Sequence, residues 1–244
     1  MNDTRIRGGH VAGDQHSRNL KAKKIETILS RRLDLSKLDM LDFGAGSGLL
    51  SAHFQPLVRS VIATDRDVSE FAVDGMDIHQ TPDATLPFAD RSFDLVLLNH
   101  VIEHVGTRDE QALCLSEILR VLRPGGVLYL SVPSRFALIE PHYRLPFLSW
   151  LPQNLADAWV KASGKGEWYD CNPFSLPGIR RHAQDAGFAV TSATDEAFFD
   201  LLAIEKPDSF AAKLLRRIPR FIVRAASVAM PTFILVCSRP ARDL

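Results

Sequence analysis

Cysteine is scarce in this chain of 244 residues: Cys114, Cys171 and Cys237 stand far apart, with no CxxC pair among them. An odd, scattered set excludes a disulfide scaffold and a zinc knuckle, and fits reduced thiols inside a cell. Charge of one sign is lacking too. The 29 Lys and Arg are balanced by 29 Asp and Glu, and a neutral chain lacks the cationic surplus that wholesale nucleic-acid binding requires. Long apolar runs are missing. The most apolar stretch near the end, Ala225 to Cys237, is broken by Pro231 and is too short to span a bilayer. Met1 to Ser17 is polar and contains nothing that could serve as a signal peptide. These absences predict a soluble, cytoplasmic protein. What the chain does have is 46% apolar residues, enough for a real core at a length that suits one α/β domain with a sizeable insertion.

The balanced charge is unevenly spread. Val61 to Arg120 carries twelve acids against four arginines, whereas Ser209 to Pro240 carries six cations and no acid. A predicted helix from Ser17, its expected N-cap, to Leu33 is basic, with Arg18, Lys21, Lys23, Lys24, Arg31 and Arg32 against Glu26. Such asymmetry assigns different surfaces to different partners.

Short apolar runs alternate with helical periodicity. Strands are predicted at 40–43, 60–64, 93–99, 127–132, 188–193 and 232–238. Helices are predicted at 109–121, ending at the Pro124-Gly125-Gly126 stop signal, and at 177–187. Continuous apolar strands separated by helices predict a doubly wound α/β fold with a mostly parallel sheet covered on both faces. Ligands of such sheets bind beyond the carboxyl ends of the strands.

At the first of those ends stands Leu41-Asp42-Phe43-Gly44-Ala45-Gly46-Ser47-Gly48, a strand running into a glycine-rich turn. Alternate glycines let the backbone bend sharply and approach a ligand closely. The third falls one residue too early for the GxGxxG dinucleotide pattern, so no pyrophosphate cradle is implied. Asp65 ends the next strand, where an acid can hold ribose hydroxyls. Asp83 precedes Ala84-Thr85-Leu86-Pro87-Phe88, and Ser92-Phe93-Asp94-Leu95-Val96 opens the strand that follows.

Over Leu41 to Gly48, Asp65, Asp83 to Phe88, Phe93 to Val105 and Leu119 to Val132, in this order, the chain resembles the class I S-adenosylmethionine-dependent methyltransferases. That resemblance implies a seven-stranded Rossmann-like sheet and S-adenosylmethionine as cofactor. It further implies that the Gly44–Ala45–Gly46–Gly48 turn lies under the methionine and ribose, with Asp42 near the amino-acid end. Asp65 would hold the ribose, Asp83 the adenine amino group with the Ala84 backbone beside the ring, and Asn99 and His100 would line the methyl-transfer point. Asn99-His100-Val101-Ile102-Glu103-His104 lacks the Asn-Pro-Pro-aromatic sequence that nitrogen-specific members resemble one another in. The closer likeness is to small-molecule members, including the ubiquinone-pathway O-methyltransferases. Some of those bind a divalent metal through Glu-x-x-Glu-His. His100, Glu103 and His104, with the later Glu140 and His142, offer comparable donors, but the Glu-His pair is common in the family without metal and none is expected here. His104, with His100 and His142 as the other candidates, is expected to deprotonate or orient the acceptor.

Two segments depart from the minimal family pattern. Residues 134–175 hold Trp150, Trp159, Trp168, Tyr143 and Tyr169, and predict a helical, aromatic-rich cap that closes over substrate. Residues 208–230 predict a helix with Lys213, Arg216, Arg217, Arg220 and Arg224 on one face and Phe210, Leu214, Ile218, Phe221 and Ile222 on another. Pro219 should kink or split it. This segment reads either as a surface helix packed on the body or as an element resting on an anionic membrane. The expected acceptor is a small or lipid- or saccharide-linked metabolite methylated at oxygen, with no nucleic acid involved. The alternatives are a non-catalytic S-adenosylmethionine-binding module and an RNA or protein methyltransferase.

Overall fold

The computed structural model describes residues 15–76 and 78–241; the polar segment before Gln15 lies outside them. Seven strands form one sheet: β1 (Asp39–Phe43), β2 (Ser60–Asp65), β3 (Ile78–Gln80), β4 (Phe93–Asn99), β5 (Leu122–Pro133), β6 (Ala189–Ser192) and β7 (Thr232–Ser238). Their order is β3-β2-β1-β4-β5-β7-β6. The first five strands pair in parallel, and β7 runs antiparallel to both β5 and β6. The short strand β3 carries no apolar run and escaped the sequence pattern.

Alternate side chains of each strand point to opposite faces, and the buried residues sort accordingly. Leu41, Val96, Leu98, Leu128 and Leu130 pack with α3 (Arg108–Val121) and α5 (Leu176–Asp185) through Ile118 and Ile179. Met40, Leu95, Leu97, Val127 and Tyr129 pack with α1 (Gln15–Ser30) and α2 (Leu49–Phe54) through Ile25, Leu29 and Phe54. Covered by helices on both faces, the sheet leaves its carboxyl edge open to a ligand.

Three local expectations are corrected. Ser17 falls inside α1, which starts at Gln15, and is not its N-cap. The strand predicted from Val127 begins earlier, at Leu122, although the helix before it does stop at Val121, ahead of Pro124-Gly125-Gly126. Phe93 pairs with Leu122 and Leu95 with Val127, so the intervening residues form a bulge within β5, with Gly125 at φ +80° supplying the left-handed turn. The segment between β6 and β7 begins earlier than residue 208, because α6 (Thr194–Ile204) precedes α7 (Phe210–Leu215) and α8 (Arg220–Ala226).

Pro219 splits α7 from α8, so the five cations do not share one helical face. Arg216, itself exposed, is tied to the body, its Nη2 donating to the Leu202 carbonyl at 2.6 Å. The apolar residues are largely uncovered: Phe210 is 82% and Phe221 73% exposed. Residues 134–175 fold around their own small core of Tyr143, Leu145, Leu148, Ala156, Val160, Tyr169 and Cys171, with α4 (Gln153–Ala162) on its flank. Among the described residues no helix is long and apolar enough to cross a membrane.

Candidate functional site

Beyond β1 the chain makes a turn that side chains would obstruct. Gly44, Gly46 and Gly48 all have positive φ (+82°, +55° and +79°). A Cβ on Gly44 would stand 2.2 Å from Val101 Cγ2, whereas one on Gly46 would meet nothing within 4 Å. The first glycine is therefore a packing requirement, and the second leaves its space open toward a cavity of about 680 Å³ at the strand ends, a size typical of sites for small molecules. Asp65, at the end of β2 and buried, ties the turn down. One carboxylate oxygen accepts from Gly46 N–H at 2.8 Å and the other from Asp67 N–H at 3.0 Å. Each oxygen keeps a second lone-pair site for a ligand hydroxyl.

Thr81, Pro82, Asp83 and Ala84, following β3, line the cavity beside Asp65, whose carbonyl accepts from Thr81 N–H at 2.8 Å. Asp83 accepts from Thr85 N–H at 2.8 Å, a local turn that holds the loop. At the end of β4, Asn99, His100 and Val101 line the same cavity. His100 adopts φ +58°, a left-handed conformation that a residue with a Cβ holds only under tertiary constraint. Its N–H donates to Ser131 O at 2.9 Å, and the bend carries Val101 beneath Gly44.

Three imidazoles meet here. His142 stands between the other two, its ring centroid 5.5 Å from that of His100 and 4.9 Å from that of His104. Glu103 lies beneath them, wholly buried. His100 Nδ1 and His142 Nε2 are 3.3 and 3.4 Å from its Oε1, yet neither carboxylate oxygen makes a hydrogen bond. Burial opposes ionisation of Glu103, but the surrounding imidazoles outweigh it and hold the carboxyl below its ordinary value. Burial drives His100 the other way, lowering its pKa to about 4, so its ring is neutral at physiological pH. His142 Nδ1 lies 3.0 Å from Glu140 Oε1, and His104 Nδ1 lies 3.4 Å from Asp170 Oδ2. Two of the imidazoles, His104 and His142, thus each have a carboxylate partner other than Glu103.

All three expected histidines, together with Gly44, Gly46, Asp65, Asp83, Ala84 and Asn99, line the one cavity. Asp42, Ala45 and Gly48 do not. Asp42 is buried behind the turn, accepting from Ser51 Oγ at 2.6 Å, and burial raises its pKa to about 6. A Cβ on Gly48 would collide with Val73 and Phe71, so that glycine serves packing. Of the cap, Pro141 and His142 reach the cavity and none of the tryptophans does. Trp150 and Trp159 are exposed, while Tyr143 and Tyr169 sit in the cap's own core.

Asp170 and Cys171 escaped the sequence reading. Cys171 Sγ stands 3.8 Å from both His104 Nδ1 and His142 Nδ1, a contact across 67 residues that no spacing rule signals. Burial, followed by the charge of Asp170, holds its thiol well above the ordinary value. Two trios, His104–His142–Cys171 and His100–Glu103–His142, bring donor atoms within 4.8 Å of one another. Their nitrogen, sulfur and carboxylate donors suit a divalent transition metal.

A family model described as a methyltransferase domain matches residues 41–130. A probable S-adenosylmethionine-dependent methyltransferase of Mycolicibacterium smegmatis is 38% identical over 102 residues, covering 40% of this chain and 38% of that protein. A ubiquinone biosynthesis O-methyltransferase of Parvibaculum lavamentivorans is 32% identical over 139 residues, covering 51% of this chain and 52% of that one. The chain thus spans about half or less of the length of these curated relatives. The crystal structure of an S-adenosylmethionine-dependent methyltransferase from Mesorhizobium loti superposes with a TM-score of 0.59 at 14% identity, covering 90% of this chain and all of that one.

Proposed function

Through residues 41–130 the chain belongs to the class I S-adenosylmethionine-dependent methyltransferases, and we propose that it methylates an oxygen of a small or lipid- or saccharide-linked metabolite. The cofactor fits the cavity on three observations: the open space over Gly46, the buried Asp65 carboxylate, and the Asp83–Ala84 stretch in the lining beside it. When bound, S-adenosylmethionine supplies a methyl group activated by its sulfonium. Gly44 and Gly46 would lie under its methionine and ribose, Asp65 would accept from the ribose hydroxyls, and Asp83 from the adenine amino group.

One observation carries the reading of the acceptor. His100, His104 and His142 converge on the cavity wall beside Asn99, and two of them have carboxylate partners. An acceptor hydroxyl placed there gives its proton to His104 or His142, and Asp170 or Glu140 stabilises the imidazolium that results. The neutral ring of His100 orients the hydroxyl. Most of the acceleration comes from holding the oxygen in line with the methyl group.

The test is turnover by purified protein of S-adenosylmethionine with an extract of small and lipid-linked metabolites, read as S-adenosylhomocysteine released. His104→Ala and His142→Ala should each lower the rate by about 10²-fold or more while leaving cofactor affinity intact. Cofactor binding with no turnover on any extract would instead favour a non-catalytic sensor. Activity that collapses with a chelator and returns with a divalent ion would move the histidines from proton transfer to metal binding.

The segment between β6 and β7 supports a lipid-linked acceptor through its surface. Phe210, Leu214 and Phe221 stand exposed beside the exposed cations Lys213, Arg217 and Arg224, a composition suited to peripheral contact with an anionic membrane.

A further inference from the structure

A second cavity, of about 610 Å³, lies on the other side of the β4 carboxyl end and meets the first at Lys21, Asn99 and His100. Its walls come from α1, from α6, from the middle of β5 and β7, and from the stretch around α8. Ile25, Tyr129, Phe198, Leu201, Val223 and Ile234 stand for those elements. Two of the polar groups in the walls are engaged with the protein itself. Thr194 Oγ1 donates to Ile234 O and accepts from Ile234 N–H, and Lys24 is paired with Glu205. A space so lined holds water poorly, since water needs several polar partners to stay. An apolar ligand gains from leaving water for the same space.

We infer that this chamber holds the hydrocarbon chain of an amphiphilic acceptor whose hydroxyl-bearing head lies at Asn99 and His100. The inference rests on the methyltransferase reading and narrows it to a lipid-tailed substrate class. Continuity selects the occupant: the chamber opens onto the imidazoles at one end, so a molecule reaching both must be polar at its head and apolar along its tail. The outer wall shows where the tail enters. Ile222 lines the chamber and is also 47% exposed, next to Phe221. At Ile222 and Phe221 the wall is therefore apolar outside as well as inside, with the exposed Arg220 and Arg224 on either side. A chain drawn from a lipid surface would enter at this apolar stretch while the arginines face the headgroups.

Alkyl glucosides with tails of six to twelve carbons, titrated calorimetrically below their micelle concentrations, provide the probe. Affinity should tighten by up to about fourfold per added methylene until the chamber is filled. Ala197→Trp, which intrudes on the chamber, should flatten that dependence, and Phe198→Ala, which enlarges it, should extend it to longer tails. Geranyl glucoside set against decyl glucoside, both with ten tail carbons, separates isoprenoid from acyl-like chains by which of the two binds tighter. Affinity independent of tail length in the wild type, or a dependence unchanged in both variants, overturns the proposal. Titration of S-adenosylmethionine on the same proteins keeps the two readings apart. Loss of cofactor binding with an intact tail dependence would strike the methyltransferase reading alone.

Discussion

At Asp65 one carboxylate holds the glycine turn through two backbone N–H groups and still faces the cavity. Asp65→Ala should weaken S-adenosylmethionine by roughly 1.5–3 kcal/mol, the range for a lost hydrogen bond to a charged group, as read by calorimetric titration. Equal affinities would remove Asp65 from the cofactor site. Its place was legible in sequence, because an acid ending a strand after a glycine-rich turn must come to the sheet's carboxyl edge. His100 carries a different prediction. Its folded pKa of about 4 lies below the ordinary 6.5, so between these values the unfolded chain takes up a proton that the folded chain refuses. Stability should therefore fall as pH drops from about 6.5 to 4, by about 3 kcal/mol at most. Glu103, held below its ordinary value of 4.5, adds a further loss in the same direction once the pH falls below that value. Denaturant unfolding at pH 7 and 4.5 should show a smaller drop in His100→Gln than in wild type. An unchanged drop would exonerate His100. None of this was legible in sequence: His100-x-x-Glu103-His104 shows donors, whereas their burial depends on the cap.

At the scale of elements, the basic helix α1 acquires an explanation that has nothing to do with an external partner. Arg31 forms a bidentate pair with Asp200 at 2.6 and 2.8 Å, Arg32 is bonded to Glu196 and Lys24 to Glu205, tying α1 and the turn that follows it to α6 and its C-terminal cap. The cations around α7 and α8 differ. Lys213, Arg217 and Arg224 are exposed, and each should contribute about 1 kcal/mol of attraction near an anionic surface. Flotation should recover the protein with anionic vesicles but not neutral ones, less so in high salt. Lys213→Glu, Arg217→Glu and Arg224→Glu combined should abolish it. Arg216 is left out because its guanidinium serves the Leu202 carbonyl. Absence of vesicle association under every condition would reduce α7 and α8 to surface packing.

For the molecule as a whole, the antiparallel strand β7 is the keystone of half the sheet. It runs between β5 and β6, with Phe233 and Leu235 wholly buried. Removing two such side chains forfeits roughly 2–5 kcal/mol each, a large part of a total stability of about 5–15 kcal/mol, before the lost strand pairing is counted. A chain ended before Thr232 should therefore show no cooperative melt by circular dichroism. A sharp transition near that of the full chain would show that the remaining six strands suffice. The same topology places both insertions on one functional edge, since one follows β5 and the other precedes β7, the strands that pair beside the β4 end.

Local chemistry determined what the sequence could show unaided. Strand alternation divided Met40 from Leu41 and Leu95 from Val96 between two cores, and the glycine spacing marked the turn. The acids at 65 and 83 announced a neutral or cationic ligand rather than a phosphate. Tertiary structure alone decided the rest. It sent Asp42 behind the turn and turned the cap's aromatics inward or to solvent instead of toward substrate. It also brought Asp170 and Cys171 against His104 and opened an apolar chamber beneath α8. The reason is one of range. Periodicity and turn preferences are set by residues within a few positions of one another. A cavity is the space left where distant elements fail to touch, and no short stretch of chain encodes it.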